Sequence, residues 1–209
     1  NRAKDPDVLA CLNYLKKRGV TKNQLWKYKI CTSSKGKFKR RIIVPSFDSR
    51  GYLNYYTTRC INNESNLKYI NANAKKKDFI FNELYIDWSR ELCIVEGPFD
   101  YLNTGVNTAC ILGSNFTENH LLFKKIVENR TDVILCLDSD VEKKQATIAD
   151  KLLSYGIGVK ILKIDDSKYA DVGQLPKGMF KELILNAKKW DKTRSLYFKI
   201  NSIQSGSLI

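Results

Sequence analysis

The sequence predicts an α/β protein with a mainly parallel sheet flanked by helices, preceded by a small basic α+β unit. After residue 90, short apolar runs alternate with helical segments, a pattern typical of parallel sheets covered on both faces. Before that point, positive charge is concentrated: residues 1–90 carry 20 Lys and Arg against seven Asp and Glu, whereas residues 91–209 carry 16 against 15. We therefore divide the chain into a basic unit (1–90), an α/β unit (91–190) and a polar tail (191–209) whose structure the pattern does not predict.

The basic unit is expected to begin with a helix and to continue as β structure. Asp5 and Pro6 are typical of an N-cap followed by proline in the first turn, and apolar residues then recur at helical spacing up to Gly19. Residues 41–45 and 52–59 have the composition of strands, joined by a turn at 48–51. The positive charge favours binding of phosphate backbones; the alternative is a solvated surface that only aids solubility.

The α/β unit contains four apolar runs with the length of buried strands, at 92–95, 109–112, 133–137 and 159–164. Three helical segments separate or follow them, at 118–128, 141–155 and 177–188. Gly156 is expected to end the second of these helices as a C-cap. No stretch comes near the roughly 18 uncharged apolar residues that a membrane span requires.

Cysteine and histidine usage argues against a structural zinc site within this chain, because the six cysteines form no CxxC pair and His120 is the only histidine. Several cysteines lie in apolar runs, where a reduced thiol behaves as a small hydrophobe, so we expect a reducing, cytoplasmic environment. The chain begins at Asn1 and its only methionine is Met179, so we expect that an N-terminal portion of the natural protein is missing.

Carboxylates follow two of the predicted strands. Glu96 comes directly after the run 92–95, at the end of a strand where open α/β sheets bind ligands. Gly97 allows a sharp turn and Pro98 suits the first turn of a following helix, so Asp100 can face the same crevice as Glu96.

Asp138 and Asp140 follow the run 133–137 on alternate positions, where both side chains can approach one cation, and hard magnesium prefers oxygen ligands. The alternative is that one of them caps the helix predicted from 141. Two acidic strand ends in one sheet favour the metal site, because clustered like charges are costly without a cation between them. Asp171 could complete a second metal position, whereas Asp165 and Asp166 are interpreted as loop residues.

Three motifs in this order carry a family resemblance. EGPFD (96–100), LDSD (137–140) and ADVGQL (170–175) resemble the Toprim domain shared by bacterial and phage primases, type IA and type II topoisomerases and some nucleases. The preceding segments KRRIIVP (39–45), DSRG (48–51), TR (58–59) and LKYIN (67–71) look like the basic subdomain of DnaG-type primases. The layout is especially similar to the primases of T-even-type phages, and the resemblance covers about residues 5–190.

The resemblance implies a role for each matching residue. Glu96 matches the catalytic glutamate, and the metal-binding positions match Asp138, Asp140 and the third-motif Asp171, with Asp100 beside them. Nucleotide and template are implied to contact Arg40, Arg41, Arg59, Lys68 and Tyr69. Two positions depart from the family pattern: Gly173 stands where many relatives have a second Asp or Asn, and Ala170 replaces a lysine.

The function implied is that of the RNA-polymerase region of a DNA primase, which makes short RNA primers on single-stranded DNA with Mg²⁺ or Mn²⁺ and nucleoside triphosphates. A replicative helicase is the implied partner, in the cytoplasm of a bacterial host if the protein is phage-encoded. A Toprim nuclease or topoisomerase, or a non-catalytic replisome module, are the alternatives. The lysine run 75–77 either adds nonspecific attraction for nucleic acid or is a solvated surface.

Overall fold

The computed structural model describes residues 4–62, 67–113, 115–138, 142–165, 167–169 and 171–204. Two helices and a four-stranded antiparallel sheet form the N-terminal part. The strands are β1 (Cys31–Thr32), β2 (Arg41–Phe47), β3 (Leu53–Cys60) and β4 (Tyr69–Asn71), in the order β1-β2-β3-β4. The predicted hairpin is confirmed: β2 and β3 pair around a turn in which the Asp48 carboxylate accepts the N–H groups of Arg50 and Tyr52.

The first helix is the predicted one. Helix α1 (Pro6–Lys17) has Asp5 as its N-cap, whose side chain accepts the N–H groups of Asp7 and Val8. A second helix, α2 (Lys22–Lys27), was not predicted. It begins with a capping box in which Thr21 and Gln24 satisfy each other's backbone N–H groups, a signal that the sequence carries as T-x-x-Q.

The second sheet contains five strands in the order β6-β5-β7-β8-β9. They are β5 (Leu92–Val95), β6 (Thr108–Cys110), β7 (Val133–Cys136), β8 (Val159–Ile161) and β9 (Lys188–Trp190). The first four are parallel, and β9 pairs antiparallel with β8 at one edge. The predicted α/β class with a mainly parallel sheet is confirmed.

Helices cover both faces of this sheet. They are α3 (Pro98–Thr104), α4 (Leu121–Asn129), α5 (Glu142–Ser154), α6 (Met179–Leu183) and α7 (Lys192–Gln204). The predicted helix at 177–188 is wrong in its second half, where a 3-10 turn at Ile184–Asn186 leads into β9. Pairing of β9 with β8 is a tertiary interaction that outweighs the local helical pattern. The tail from residue 191 contains a helix, α7.

The two sheets share a hydrophobic core. Leu92 and Ile94 of β5 pack into a cluster under α4 and α5, whereas Cys93 and Val95 point to the opposite face. The cluster on that opposite face continues into the antiparallel sheet, which contributes Ile42, Val44 and Tyr55. The basic unit is therefore packed directly on one face of the parallel sheet. Among the described residues no helix is long and apolar enough to cross a membrane.

Helix α7 is fastened to α5 through Asp150. The Asp150 carboxylate accepts hydrogen bonds from Trp190 Nε1 (2.9 Å), Ser195 Oγ (2.8 Å) and Lys199 Nζ (2.7 Å). Partial burial alone would raise the pKa of Asp150, but the hydrogen bonds from Lys199, Trp190 and Ser195 hold it below its ordinary value. One carboxylate thus joins the edge strand and the last helix to the rest of the sheet.

We expect Asp150→Ala to lower the free energy of unfolding by about 1–3 kcal/mol, because it leaves three donors without their charged acceptor. Urea denaturation followed by circular dichroism measures this loss. Glu182→Ala removes an exposed acid on α6 and is the matched control. Equal unfolding midpoints for the two variants would contradict the anchoring role of Asp150.

Candidate active site

Acidic residues meet at the carboxyl edge of the parallel sheet. Strand β5 ends at Val95 and β7 at Cys136, and these two residues are paired in register. Glu96 and Asp138 therefore leave the sheet on neighbouring strands at the same edge, and both are half-buried. Asp140, the second acid predicted on this loop, lies outside the described residues.

Asp100 is the most buried acid of this site, with 7% of its surface exposed. Helix α3 begins immediately after Gly97, and Asp100 Oδ2 accepts the Gly97 N–H at 2.8 Å. Its other oxygen, Oδ1, accepts the N–H of Gly173 at 2.9 Å. Asp100 therefore joins the turn after β5 to a segment more than 70 residues further along the chain.

The carboxylates of Asp171 and Asp100 both lie close to Gly173. A Cβ atom at Gly173 would lie 3.1 Å from Asp100 Oδ1 and 3.2 Å from Asp171 Oδ1. Asp171 Oδ1 is buried and accepts no hydrogen bond from the part of the chain that the structure describes. The departure from the family pattern at Gly173 thus has a structural counterpart: glycine leaves room for two carboxylates and supplies a backbone N–H to one of them.

The charges of these acids act on one another. Burial, followed by the charges of Asp171 and Asp138, raises the pKa of Asp100 to about 7, against the lowering effect of the hydrogen bonds from Gly97 and Gly173. Burial also raises the pKa of the Cys136 thiol, and the charges of Asp100 and Asp138 add to that effect. Negative charge is therefore concentrated at this edge of the sheet.

The carboxylate oxygens at this edge of the sheet are suitable ligands for a hard divalent cation. Among the described residues, which omit Asp140, no group of three or more side chains is already arranged to hold a metal ion. The buried, unbonded Asp171 Oδ1 and the unfavourable charge on Asp100 are nevertheless what a bound cation would relieve. Asp138, Asp171 and Glu96 could hold such an ion, whereas both oxygens of Asp100 already accept backbone hydrogen bonds.

Two residues that sequence reasoning missed hold this site together. Asn103 Nδ2 donates to the carbonyl oxygens of Val172 and Leu175, both at 2.8 Å, and so fixes the segment after Asp171. Gln145 is buried and its Nε2 donates to Leu135 O at 3.0 Å, which ties α5 to β7. The only sequence signal is the position of Asn103, one helical turn after Asp100.

The basic sheet presents a polar strip on the face that packs on the parallel sheet. Arg59 is paired in register with Tyr69, and Thr57 with Asn71. Arg59 Nη1 donates to the Tyr69 hydroxyl at 2.8 Å, and its guanidinium lies 5.0 Å from the centre of that ring. Because side chains alternate along a strand, these residues share the face of Tyr55, which belongs to the core shared by the two sheets. The structure thus brings Arg59 and Tyr69 together, and their contacts with nucleotide and template stay a prediction.

The other predicted basic residues have different surroundings. Arg41 is buried on the opposite face, where its Nη2 donates to Leu67 O at 2.6 Å, so the structure does not bring it to Arg59. Arg40 bonds Asp7 at 2.9 Å and Asn62 at 2.8 Å. Lys68 is exposed just before β4.

We expect Gly97→Ala to disturb this site, because the new Cβ would lie 2.8 Å from Asp100 Oδ2. Gly158→Ala is a matched control: its Cβ would lie 2.6 Å from Asp132 Oδ1 before β8, at the amino edge of the sheet. Both variants should lose thermal stability. If a divalent cation binds at this edge, only Gly97→Ala should also lose the rise in melting temperature on addition of Mg²⁺. Equal effects of Mg²⁺ on the two variants would contradict the role of Gly97.

Comparison with known proteins gives sequence relatives of one kind. No protein-family model matches the chain. The DNA primase of Mycoplasma pneumoniae is 28% identical over 150 residues, which are 66% of this chain and 24% of that protein. The DNA primase of Listeria innocua is 26% identical over 189 residues, 80% of this chain and 29% of that protein. The chain thus spans between about a quarter and a third of these relatives.

Solved structures share the fold. A DNA primase domain from Pseudomonas aeruginosa has a TM-score of 0.72 at 18% identity and covers 97% of this chain and 79% of its own. The zinc-binding and RNA polymerase domains of the Aquifex aeolicus primase match with a TM-score of 0.70 at 21% identity, and the match covers 91% of this chain and 58% of that one. A DnaG primase catalytic domain bound to single-stranded DNA matches with a TM-score of 0.68 at 21% identity, over 94% of this chain and 77% of that one.

The sequence relatives and the fold agree, and both match the resemblance read from the three acidic motifs. Both sequence relatives are bacterial, and the special likeness to phage primases stays a prediction. The chain is therefore similar in sequence to two bacterial DNA primases and shares the fold of primase catalytic domains.

Proposed function

We propose that this chain is the RNA-polymerising part of a DNA primase, which joins nucleoside triphosphates into short RNA primers on single-stranded DNA. The observation that carries the proposal is the meeting of Glu96, Asp100, Asp138 and Asp171 at one edge of the parallel sheet, on the side packed by a strongly basic unit. Clustered acids suit phosphoryl chemistry with a cation, and a basic surface suits a nucleic-acid template.

The acids divide into two roles in this proposal. Asp138, Asp140 and Asp171 hold the divalent cation, Mg²⁺ or Mn²⁺, while Glu96 accepts the proton of the attacking 3′-hydroxyl or orients a water molecule. Asp100 keeps the Glu96 turn and the Asp171 segment in contact through its two backbone hydrogen bonds. A bound divalent cation would lower the pKa of the attacking hydroxyl and compensate the negative charge on the leaving pyrophosphate.

The basic unit contributes contacts to template and nucleotide. Arg59 is held in place by Tyr69, so its guanidinium is oriented for a phosphate at little further entropic cost. Tyr69 is exposed and could stack on a base. Lys68 is exposed and directly precedes Tyr69 in the chain, so it adds positive charge there. Arg40, whose guanidinium bonds Asp7, is proposed as a further contact. A replicative helicase is the partner we propose for the complete protein, in line with the DnaG-type relationship.

The cation site is tested by thermal denaturation with and without Mg²⁺. At about 100-fold excess over its Kd, the cation should stabilise the protein by roughly 2.7 kcal/mol, or about 5–10 °C. Asp171→Asn should remove much of this shift, because it replaces the carboxylate, one oxygen of which is buried without a hydrogen bond, by a neutral amide. Asp165→Asn is the control, since Asp165 is an exposed residue that pairs with Lys168 at 3.0 Å. An unchanged shift in Asp171→Asn would exclude Asp171 as a ligand.

The activity is tested by incorporation of labelled ribonucleotides on single-stranded DNA, with and without Mg²⁺ and helicase. We expect template-dependent oligoribonucleotides that fall at least about 100-fold in Glu96→Gln and in Asp138→Asn, because the proton acceptor or a cation ligand is lost. Binding of single-stranded DNA should survive in both variants, and Asp165→Asn should remain active.

Undiminished synthesis in Glu96→Gln and Asp138→Asn would refute the mechanism. Cleavage of DNA with Mg²⁺ but without nucleotides would favour the Toprim nuclease class. Tight single-stranded DNA binding without any Mg²⁺-dependent activity would favour a non-catalytic replisome module.

A further inference from the structure

Lys76 makes a polar contact between the basic unit and the candidate active site. It lies in the 3-10 turn Lys76–Asp78 that follows β4, and its Nζ donates to the carbonyl oxygen of Leu112 at 2.5 Å. Leu112 comes two residues after β6 in the parallel sheet. The middle lysine of the run 75–77 therefore reaches across to the carboxyl edge of that sheet.

The backbone that Lys76 contacts has an uncommon conformation. Leu112 has φ 57°, in the left-handed region, and Gly113 follows with φ 132°. A bulky residue adopts the left-handed region only when its surroundings compensate for the strain. The ammonium of Lys76 supplies such compensation, because it binds the Leu112 carbonyl oxygen with a charge-assisted hydrogen bond.

This turn holds the backbone of Glu96. The Gly113 N–H donates to Glu96 O at 3.3 Å, and Cys110 Sγ donates to the same oxygen at 3.3 Å. The carbonyl oxygen of Val95, the residue before Glu96, accepts the N–H of Ile111 at 3.1 Å. The end of β6 and the turn after it therefore position the residue that follows β5.

We propose that Lys76 is a positioning residue for Glu96, acting through the turn at Leu112 and Gly113. This inference rests on the proposed function, in which Glu96 is the catalytic residue. Lys76 fixes the Leu112 carbonyl, the turn presents the Gly113 N–H, and that N–H holds the Glu96 carbonyl at the strand end. A small displacement of a catalytic group lowers the rate strongly, so loss of Lys76 is expected to act on turnover.

The same lysine run provides its own controls. Lys75 and Lys77 are exposed, and within the described part of the chain no hydrogen bond or ion pair is seen for either side chain. Lys75→Met and Lys77→Met remove the same charge as Lys76→Met, so any general loss of attraction for nucleic acid is common to all three. Lys76→Arg keeps a cationic donor that can reach the Leu112 carbonyl.

Steady-state primer synthesis at saturating single-stranded DNA tests the proposal. We expect the kcat of Lys76→Met to fall about 10- to 100-fold, with the KM for nucleoside triphosphate little changed, and Lys76→Arg to recover much of the loss. Lys75→Met and Lys77→Met should retain the wild-type kcat. Equal kcat values in the three Met variants would overturn the proposal, and so would a raised KM at constant kcat, which would make Lys76 a nucleotide-binding residue.

Hydrogen exchange provides a readout that does not depend on activity. The amide hydrogen of Gly113 should exchange faster in Lys76→Met than in wild type, whereas its exchange rate in Lys75→Met should equal that of wild type. Unchanged exchange in Lys76→Met would overturn the positioning role whether or not primers are made. A wild-type protein that makes no RNA but shows the expected exchange would refute the proposed function and leave the contact between Lys76 and the turn established.

Discussion

The candidate active site depends on the two backbone hydrogen bonds that the Asp100 carboxylate accepts. The carboxylate is buried, and it accepts one backbone hydrogen bond from Gly97 and one from Gly173. A buried carboxylate is costly unless it is hydrogen-bonded, and here the two donors come from the turn after β5 and from the segment that carries Asp171. A Cβ at Gly97 would lie 2.8 Å from Asp100 Oδ2, so a larger residue there would displace the carboxylate. The two hydrogen bonds of Asp100 therefore hold the parts of the site together, and the position of its carboxylate limits the size of residue 97.

The repulsion among the acids has a functional meaning in the proposed reaction. The pKa of Asp100 is raised by burial and by its negatively charged neighbours, which is a cost in the folded protein without a cation. Residues that reduce stability in this way are typical of functional sites, where charges are arranged for a ligand. Asn103 and Gln145 oppose the cost, because they fix the backbone around the acids with hydrogen bonds to carbonyl groups.

The shared core packs one face of the basic sheet against one face of the parallel sheet. Val95 and Tyr55 belong to the same cluster although they are in different sheets. The next two inward positions of β3 beyond Tyr55 are Thr57 and Arg59, because alternate side chains share a face. Packing of apolar residues thus orients a polar strip whose own contacts are local, such as the bond between Arg59 and Tyr69.

Local sequence patterns predicted much of the fold. The N-cap at Asp5, the hairpin around Asp48 and the strand Leu92–Val95 are all in the structure, since capping, turn chemistry and apolar runs are local properties. Strand β9 and helix α7 were missed, because β9 depends on pairing with β8 and α7 depends on the Asp150 carboxylate of a different helix. The end of β6 was also predicted too late, since Leu112 has a left-handed backbone.

The sequence by itself determined which acids follow buried strands, and hence that Glu96 and Asp138 lie at one edge of a parallel sheet. It also determined that positive charge is concentrated in the first 90 residues. Only the tertiary structure decided which basic residues share a face, because Arg40, Arg41 and Arg59 read alike in the sequence but differ in burial and partners. It also decided that Asp100 links Gly97 to Gly173 and that Lys76 contacts Leu112. These contacts join residues far apart in the chain, and local patterns carry no information about such distances.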